Sequence, residues 1–334
     1  RRLDHNEDAA DRRLGQKSIR WAALAAAVLW VLHPVQIQAV TYIVQRMTSM
    51  ATMFYLAALC LYIVGRQANS RRRRGVCFAL VPLAWLLALG SKEIAITLPV
   101  VIIIYEWFFF QKLSRDWIAR GLKFCIVPFA AMIVIGIIFL HDDPLQTLVK
   151  GYESRDFNMA QRVMTEWRVI VFYLSLLLLP LPQRLNLDHH CEVISLSIFT
   201  PLSTVFSLLF ILGLLAGACA AARRYPLPAF CVLWFFINLA LESTVMNLEL
   251  VFEHRLYLPT VGIMIGIVYG LYRIKAIRRH GYVAAVVVGI VALLFIFWTY
   301  QRNLMWSSAL MLWQDSAAKS PNKPRPLTNF GYAL

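Results

Sequence analysis

The sequence has no Cys-x-x-Cys pair, no Cys/His spacing suited to a metal ion and no opening methionine, and no signal peptide is expected within it. Its six cysteines (Cys60, Cys77, Cys125, Cys191, Cys219 and Cys231) are scattered, and five lie in apolar runs. Thiols there pack as small hydrophobes, so neither a disulfide framework nor a structural zinc site is supported. Charge is also scarce. Asp, Glu, Lys and Arg make up 15% of the 334 residues, hydrophobic residues make up 60%, and mean hydropathy is +0.62. No soluble domain of this length needs so much apolar surface, so the chain is read as an integral membrane protein. Acidic residues are few, 18 against 33 Lys and Arg. The resulting charge of +15 could suggest nucleic acid, but the basic residues sit in short clusters between apolar runs. That distribution is a topology signal, and no nucleic-acid partner is expected. Because the chain opens on Arg1 and stops inside a helical pattern, it is expected to be a segment of a longer protein.

Apolar runs are read at 19–32, 47–64, 76–90, 94–110, 124–140, 198–222, 227–241, 257–272 and 282–300, with a shorter run at 167–181. The shorter run has Pro180 and Pro182 at its end, and it is expected to be a re-entrant or interfacial helix. With residues 66–74 inside, the basic segments on the same side hold 21 of the 33 Lys and Arg. This predicts nine crossings, a cytoplasmic segment 1–18, a membrane domain 19–300 and an extracytoplasmic tail from 301. The tail pattern, with Leu312, Ala317, Ala318, Pro321, Leu327, Phe330, Gly331, Tyr332 and Leu334, fits the start of a helical repeat array.

The polar residues of interest collect at the outer face. The stretch 33–46, HPVQIQAVTYIVQR, places His33, Gln36, Tyr42 and Arg46 beside apolar runs, with Pro34 breaking the helix. It is either a polar site cut into the membrane or a surface cap with Tyr42 and Arg46 as interfacial anchors. Lys92 and Glu93 lie between two apolar runs and are read as a pair, structural or functional. Glu253, His254, Arg255 and Tyr257 stand just before a span in EHRLYLP. Arg binds phosphate as a fork and Lys as a point charge, so His33, Arg46, Lys92 and Arg255 together suit a lipid-linked phosphate. Gln36, Tyr42, Glu93, Glu253, His254 and Tyr257 would support them. HDDP (141–144) and DHH (188–190) could hold a metal or a base, although solvated loop caps are commoner. No metal ligand set is assigned, and a divalent cation is the one cofactor left open.

HPVQIQAVTYIVQRMTSMATMFYLAALCLY, GSKEIAITLPVVIIIYEW, EHRLYLPTVG and the repeat-like tail, in this order, resemble the membrane part of the transmembrane-and-tetratricopeptide-repeat proteins. That family includes eukaryotic protein O-mannosyltransferases and bacterial relatives. The resemblance implies an all-α, polytopic GT-C-like helix bundle, followed by the start of a tetratricopeptide-repeat domain. It further implies a polyprenyl-phosphate sugar as donor, membrane lipid around it, and transfer to a protein or glycan acceptor outside the cytoplasm. The compact loops look like a bacterial inner-membrane member with repeats in the periplasm. The family's acidic catalytic loop would lie upstream of Arg1, so no catalytic residue is carried over and Asp142 and Asp143 do not replace it. Two other classes stay open: an O-antigen ligase or polymerase, and a non-catalytic scaffold whose repeats hold an envelope protein.

Overall fold

Apolar runs in a chain so poor in charge fold as helices, because only hydrogen bonds within the segment satisfy their backbone in lipid. The computed structural model describes residues 18–119, 121, 130, 134, 151–153, 155–190, 193–274 and 281–334. Helices make up the described fold, with no β-strand among these residues. Residues 1–17, most of the expected run 124–140, the HDDP stretch, Cys125, Cys191 and the basic run 275–280 lie outside the described residues.

Helix α1 (Ser18–Leu32) ends at His33, and a bend of 53° leads into a 3-10 turn, Pro34–Gln36, and the short helix α2 (Ile37–Val40). Proline opens that turn, where a missing N–H costs nothing. The His33 ring caps it, Nδ1 accepting from the Val35 N–H at 3.3 Å. Helices α3 (Arg46–Gln67) and α4 (Arg71–Ser91) pack along their length. The four-arginine run, expected in a loop, opens α4 instead, leaving only residues 68–70 as the connection. Arginine is a good helix former whose long side chain can extend to water from an exposed first turn.

Helix α5 (Leu98–Tyr105) continues a 3-10 turn, Glu93–Thr97, and runs into a π-turn, Glu106–Phe110. The π-turn is pinned at its start. The Glu106 carboxylate accepts from Arg66 Nε and Nη2 at 2.9 and 2.7 Å, from the Tyr62 hydroxyl at 2.7 Å and from Gln111 Nε2 at 2.7 Å.

Helix α6 (Met159–Leu178) starts eight residues before the expected 167. Asn158 and Gln161 form a capping box there, and the Arg162–Glu166 pair sits one turn apart on the same face. Then follow α7 (Ser203–Ala221), α8 (Pro226–Ala240), α9 (Pro259–Arg273), α10 (Gly281–Met305), α11 (Ala309–Lys319) and α12 (Pro324–Ala333). Among the described residues, five helical segments are long and apolar enough to cross a bilayer, or six if the broken α1–α2 pair is one span. The chain is thus an all-α polytopic bundle.

Three apolar cores hold it. One joins α3, α4, α5, α7 and α8, another joins α6, α7, α8 and residues 250–256, and the third joins α1, α9 and α10. Helices α8 and α9 approach so closely that a Cβ on Gly262 would meet Trp234 Cδ1 at 2.6 Å. Only glycine fits there.

Candidate functional site

Two short turns and a loop end the spans on one side: Glu93–Thr97 before α5, residues 242–252 after α8, and the 3-10 turn Glu253–Leu256 before α9. Helix α6 closes the group. Lys92 caps α4 in an extended conformation, φ −159° and ψ 143°. Successive side chains in extended backbone point to opposite sides. Lys92 therefore turns inward and is buried, whereas Glu93 is exposed. The expected Lys92–Glu93 pair is corrected by this geometry. Lys92 Nζ donates instead to Glu242 Oε1 at 2.8 Å, from 150 residues away, with both side chains buried.

Glu242 also faces Arg255, whose Nε lies 4.0 Å from the same Oε1. Arg255 Nη1 lies 3.9 Å from Glu166 Oε1, and Arg162 Nη2 lies 3.0 Å from that atom. Three cations, Lys92, Arg162 and Arg255, thus surround two carboxylates, Glu166 and Glu242, and all five side chains are buried. The guanidinia also hold the loop. Arg162 donates to the carbonyls of Glu242 (2.9 Å), Thr244 (3.0 Å) and Leu248, and Arg255 to those of Leu250 (3.0 Å) and Glu249 (2.6 Å). Among the described residues, Arg255 Nε, both Glu166 oxygens and Ser243 Oγ make no hydrogen bond of good geometry. Burial pushes the Glu166 carboxyl up to about 7, against the pull of Arg255 and Arg162.

His254 stands at the edge of this centre. Its backbone N–H and its ring Nδ1 both bond Gln38 Oε1, at 2.7 and 3.1 Å, and Gln38 Nε2 donates to the Leu187 carbonyl at 3.1 Å. Burial, then Lys92 and Arg255, hold the imidazole pKa well below its usual value, so the ring is neutral. Glu253 points the other way. Its Oε1 accepts from the Asn186 N–H at 2.6 Å and from His189 Nε2 at 2.8 Å.

The remaining sequence-derived candidates are placed elsewhere. His33 is buried with both ring nitrogens used: Nδ1 caps Val35 and Nε2–H donates to the Leu177 carbonyl at 3.1 Å. Arg46 is exposed, with Nε on the Val40 carbonyl at 3.0 Å. Tyr42 packs on Trp306 at 5.6 Å between ring centroids, and Tyr257 packs edge-on against Trp30 at 5.1 Å. The Gln36 amide is buried, and neither of its polar atoms is hydrogen-bonded among the described residues. The structure therefore gathers Lys92, Arg255 and His254 around the buried carboxylates, has Glu253 face the 186–189 loop, and leaves Arg46, Tyr42 and Glu93 outside. Sequence reading missed Arg162, Glu166 and Glu242. The i,i+4 spacing of Arg162 and Glu166 at the head of an apolar run was their one visible signal. Among the described residues, no group of three His, Cys, Asp or Glu is arranged to hold a metal ion.

No family model and no solved structure matches the chain. Two curated proteins are similar to it. Protein O-mannosyl-transferase F38B6.6 of Caenorhabditis elegans is 25% identical over 333 aligned residues, covering 93% of this chain and 43% of that protein. Protein O-mannosyl-transferase Tmtc3 of Drosophila melanogaster is 23% identical over 368, covering 93% of this chain and 38% of its own length. The chain thus spans about two fifths of the length of these curated relatives, and it is similar, at this distance, to two proteins named as protein O-mannosyl-transferases.

Proposed function

We propose that this chain is the membrane part of a GT-C-type glycosyltransferase that moves a sugar from a polyprenyl-phosphate donor to a protein acceptor on the extracytoplasmic face. One observation carries the reading. Lys92 and Arg255, 163 positions apart, face one buried carboxylate in a centre where cations outnumber acids. The similarity to two proteins named O-mannosyl-transferases supports the same chemistry. Among the described residues Lys92 donates one hydrogen bond, to Glu242, and an ammonium has three N–H groups to give. Among the described residues the Arg255 Nε–H makes no hydrogen bond, with Glu242 Oε1 4.0 Å away. These are the donors a departing phosphate would engage, and charge developing on it is stabilised most in a buried, preorganised setting. His33, Gln36, Tyr42, Arg46, Glu93 and Tyr257 are left as walls and anchors of the same face.

Arg255→Lys keeps the charge and removes the planar fork. It is expected to weaken binding of a polyprenyl phosphate in detergent micelles about tenfold, about 1.4 kcal/mol. Unchanged affinity in a folded variant would take the phosphate away from this centre and favour the scaffold reading.

The nine-span arrangement, with the four-arginine run in the cytoplasm and α11–α12 outside, belongs to the same proposal. Single cysteines at the exposed positions Ser70 and Asn322, in a background stripped of native cysteines, check it in intact cells. An impermeant thiol reagent is expected to label position 322 and not position 70, and the reverse pattern would invert the topology.

A further inference from the structure

We infer that the end of the bundle opposite Lys92 carries a binding site for the headgroup of an anionic phospholipid, built by Arg224, Arg273 and Tyr225. Helix packing sets the place. Arg66, near the end of α3, meets Glu106 at the close of α5 at 2.7 Å, so α3 and α5 finish together and α4 starts beside them. The Phe230 ring, early in α8, packs on Tyr105 and Phe109 at 5.5 and 5.3 Å, which brings the start of α8 to the same end. Helix α9 runs back along α8. Gly262 lies against Trp234, and a Cβ on Gly266 would meet Cys231 Cβ at 3.4 Å. The last residue of α9, Arg273, therefore arrives beside the turn that joins α7 to α8.

That turn is fixed by its backbone. The N–H groups of Arg224 and Tyr225 both bond the Ala221 carbonyl, at 3.0 and 2.8 Å. Two guanidinia then meet over one ring. Arg224 Cζ lies 5.5 Å and Arg273 Cζ 6.0 Å from the Tyr225 centroid, and Arg273 Cζ also lies 5.7 Å from the Tyr269 centroid. The two charges are thus at most about 11.5 Å apart. Ring faces attract the cations, but the planar forks of N–H groups are left to give elsewhere. Among the described residues, neither side chain donates a hydrogen bond or pairs with a carboxylate. Neighbouring arginines are occupied: Arg66 holds Glu106, and Arg74 donates to the Ala68 carbonyl at 3.0 Å.

Phosphate is the anion that matches such forks. The adjoining surface says which phosphate. Ile267 and Ile274 are exposed, and a Cβ on Gly270, one turn from Ile267, would meet nothing within 4 Å. The forks therefore open onto an apolar bed along α9, where an acyl chain lies and which a free phosphate would not use. Tyrosines at the ends of spans sit at headgroup depth, and basic pockets between helix ends bind anionic headgroups. The site is at the opposite end from the centre of Lys92 and Arg255, and it does not depend on the transferase reading.

The test titrates the purified protein in detergent with phosphatidylglycerol and with phosphatidylcholine and reads bound lipid by native mass spectrometry. Both lipids carry a phosphate, and only the first has a net charge. Wild type is expected to prefer phosphatidylglycerol at least about tenfold, since each basic residue at an anionic surface contributes about fivefold. Arg224→Gln with Arg273→Gln is expected to bring the preference below about threefold. Arg72→Gln with Arg73→Gln removes two exposed charges from the same end and is expected to leave it unchanged. If the first variant loses melting temperature, Arg224→Lys with Arg273→Lys is read in its place. It keeps the charge without the forks and is expected to lower the preference at least about threefold. Equal binding of the two lipids by wild type overturns the inference. So does an equal loss in the α4 variant, which would mean a diffuse field, or displacement of the lipid by excess inorganic phosphate, which would mean a free anion.

Discussion

Arg162→Met is expected to unfold the end of the bundle that carries the 242–248 loop more completely than any other single substitution. Arg162 is fully buried, and its guanidinium bonds three carbonyls of the 242–248 loop as well as facing Glu166 at 3.0 Å. Methionine fills similar volume and supplies no donor. Each buried carbonyl left without a partner costs about 1–3 kcal/mol, and breaking a buried ion pair costs about 3–5 kcal/mol. These losses share one site and do not add. A net loss of about 5 kcal/mol is comparable with the whole stability of many domains. Denaturant unfolding in micelles checks it, and a loss below about 1 kcal/mol would show that the loop stands without Arg162.

Glu166→Gln is the control, with a sign of its own. The folded carboxyl titrates at about 7 and its ordinary value is 4.5, so over that interval the folded state holds a proton that the unfolded state has lost. The stability this contributes is fully present below about 4.5 and disappears as pH rises through about 7. Wild type is therefore expected to lose stability from about pH 5 to pH 8 relative to Glu166→Gln. A constant difference between the two would mean that the carboxyl is already ionised at pH 5.

Asn186→Leu is expected to release the tail helices α11 and α12 from the membrane domain. Asn186 Oδ1 accepts from Ser316 Oγ at 2.6 Å, and its Nδ2 donates to Ser320 Oγ at 2.9 Å and to the Asp188 carbonyl at 3.1 Å. Ser316, Ser320 and Asn186 are all buried. Leucine would leave the Ser316 hydroxyl without its acceptor, at about 1–3 kcal/mol, and take from Ser320 one of its two partners, the Asp188 carbonyl at 2.8 Å remaining. Around this seam, Lys319 donates to the Pro182 and Leu185 carbonyls at 2.9 and 2.8 Å, and Lys323 reaches Asp188 and Glu249, the latter at 3.3 Å. Those outer contacts keep the fold while the inner seam opens. Hydrogen exchange should rise across residues 309–333 and stay low in α3 and α4. Equal protection in both variants would place the hold on the lysines alone.

The tail seam also shows how far the sequence could be read. The spacing of residues 312–334 fits the start of a helical repeat array, and the helices α11 and α12 lie there. Their bonds to Asn186 and Asp188, some 130 residues earlier, left no local mark. The DHH stretch, read as a solvated cap or a metal or base site, divides by residue. Asp188 is buried against the tail, His189 is bonded to Glu253, and His190 is exposed.

Composition and hydrophobic runs by themselves determined that this chain is an all-α membrane bundle. Apolar length dictates helix, and Pro34 dictates a break, through bonding rules that act within a few residues. Tertiary structure alone decided which charges meet. Adjacent Lys92 and Glu93 are parted because extended backbone sends neighbouring side chains to opposite sides. Lys92 then finds Glu242, and His189 finds Glu253, because a buried charge must be paired wherever the chain brings a partner. Such pairing depends on how helices pack across the bundle, and no spacing along the sequence encodes it.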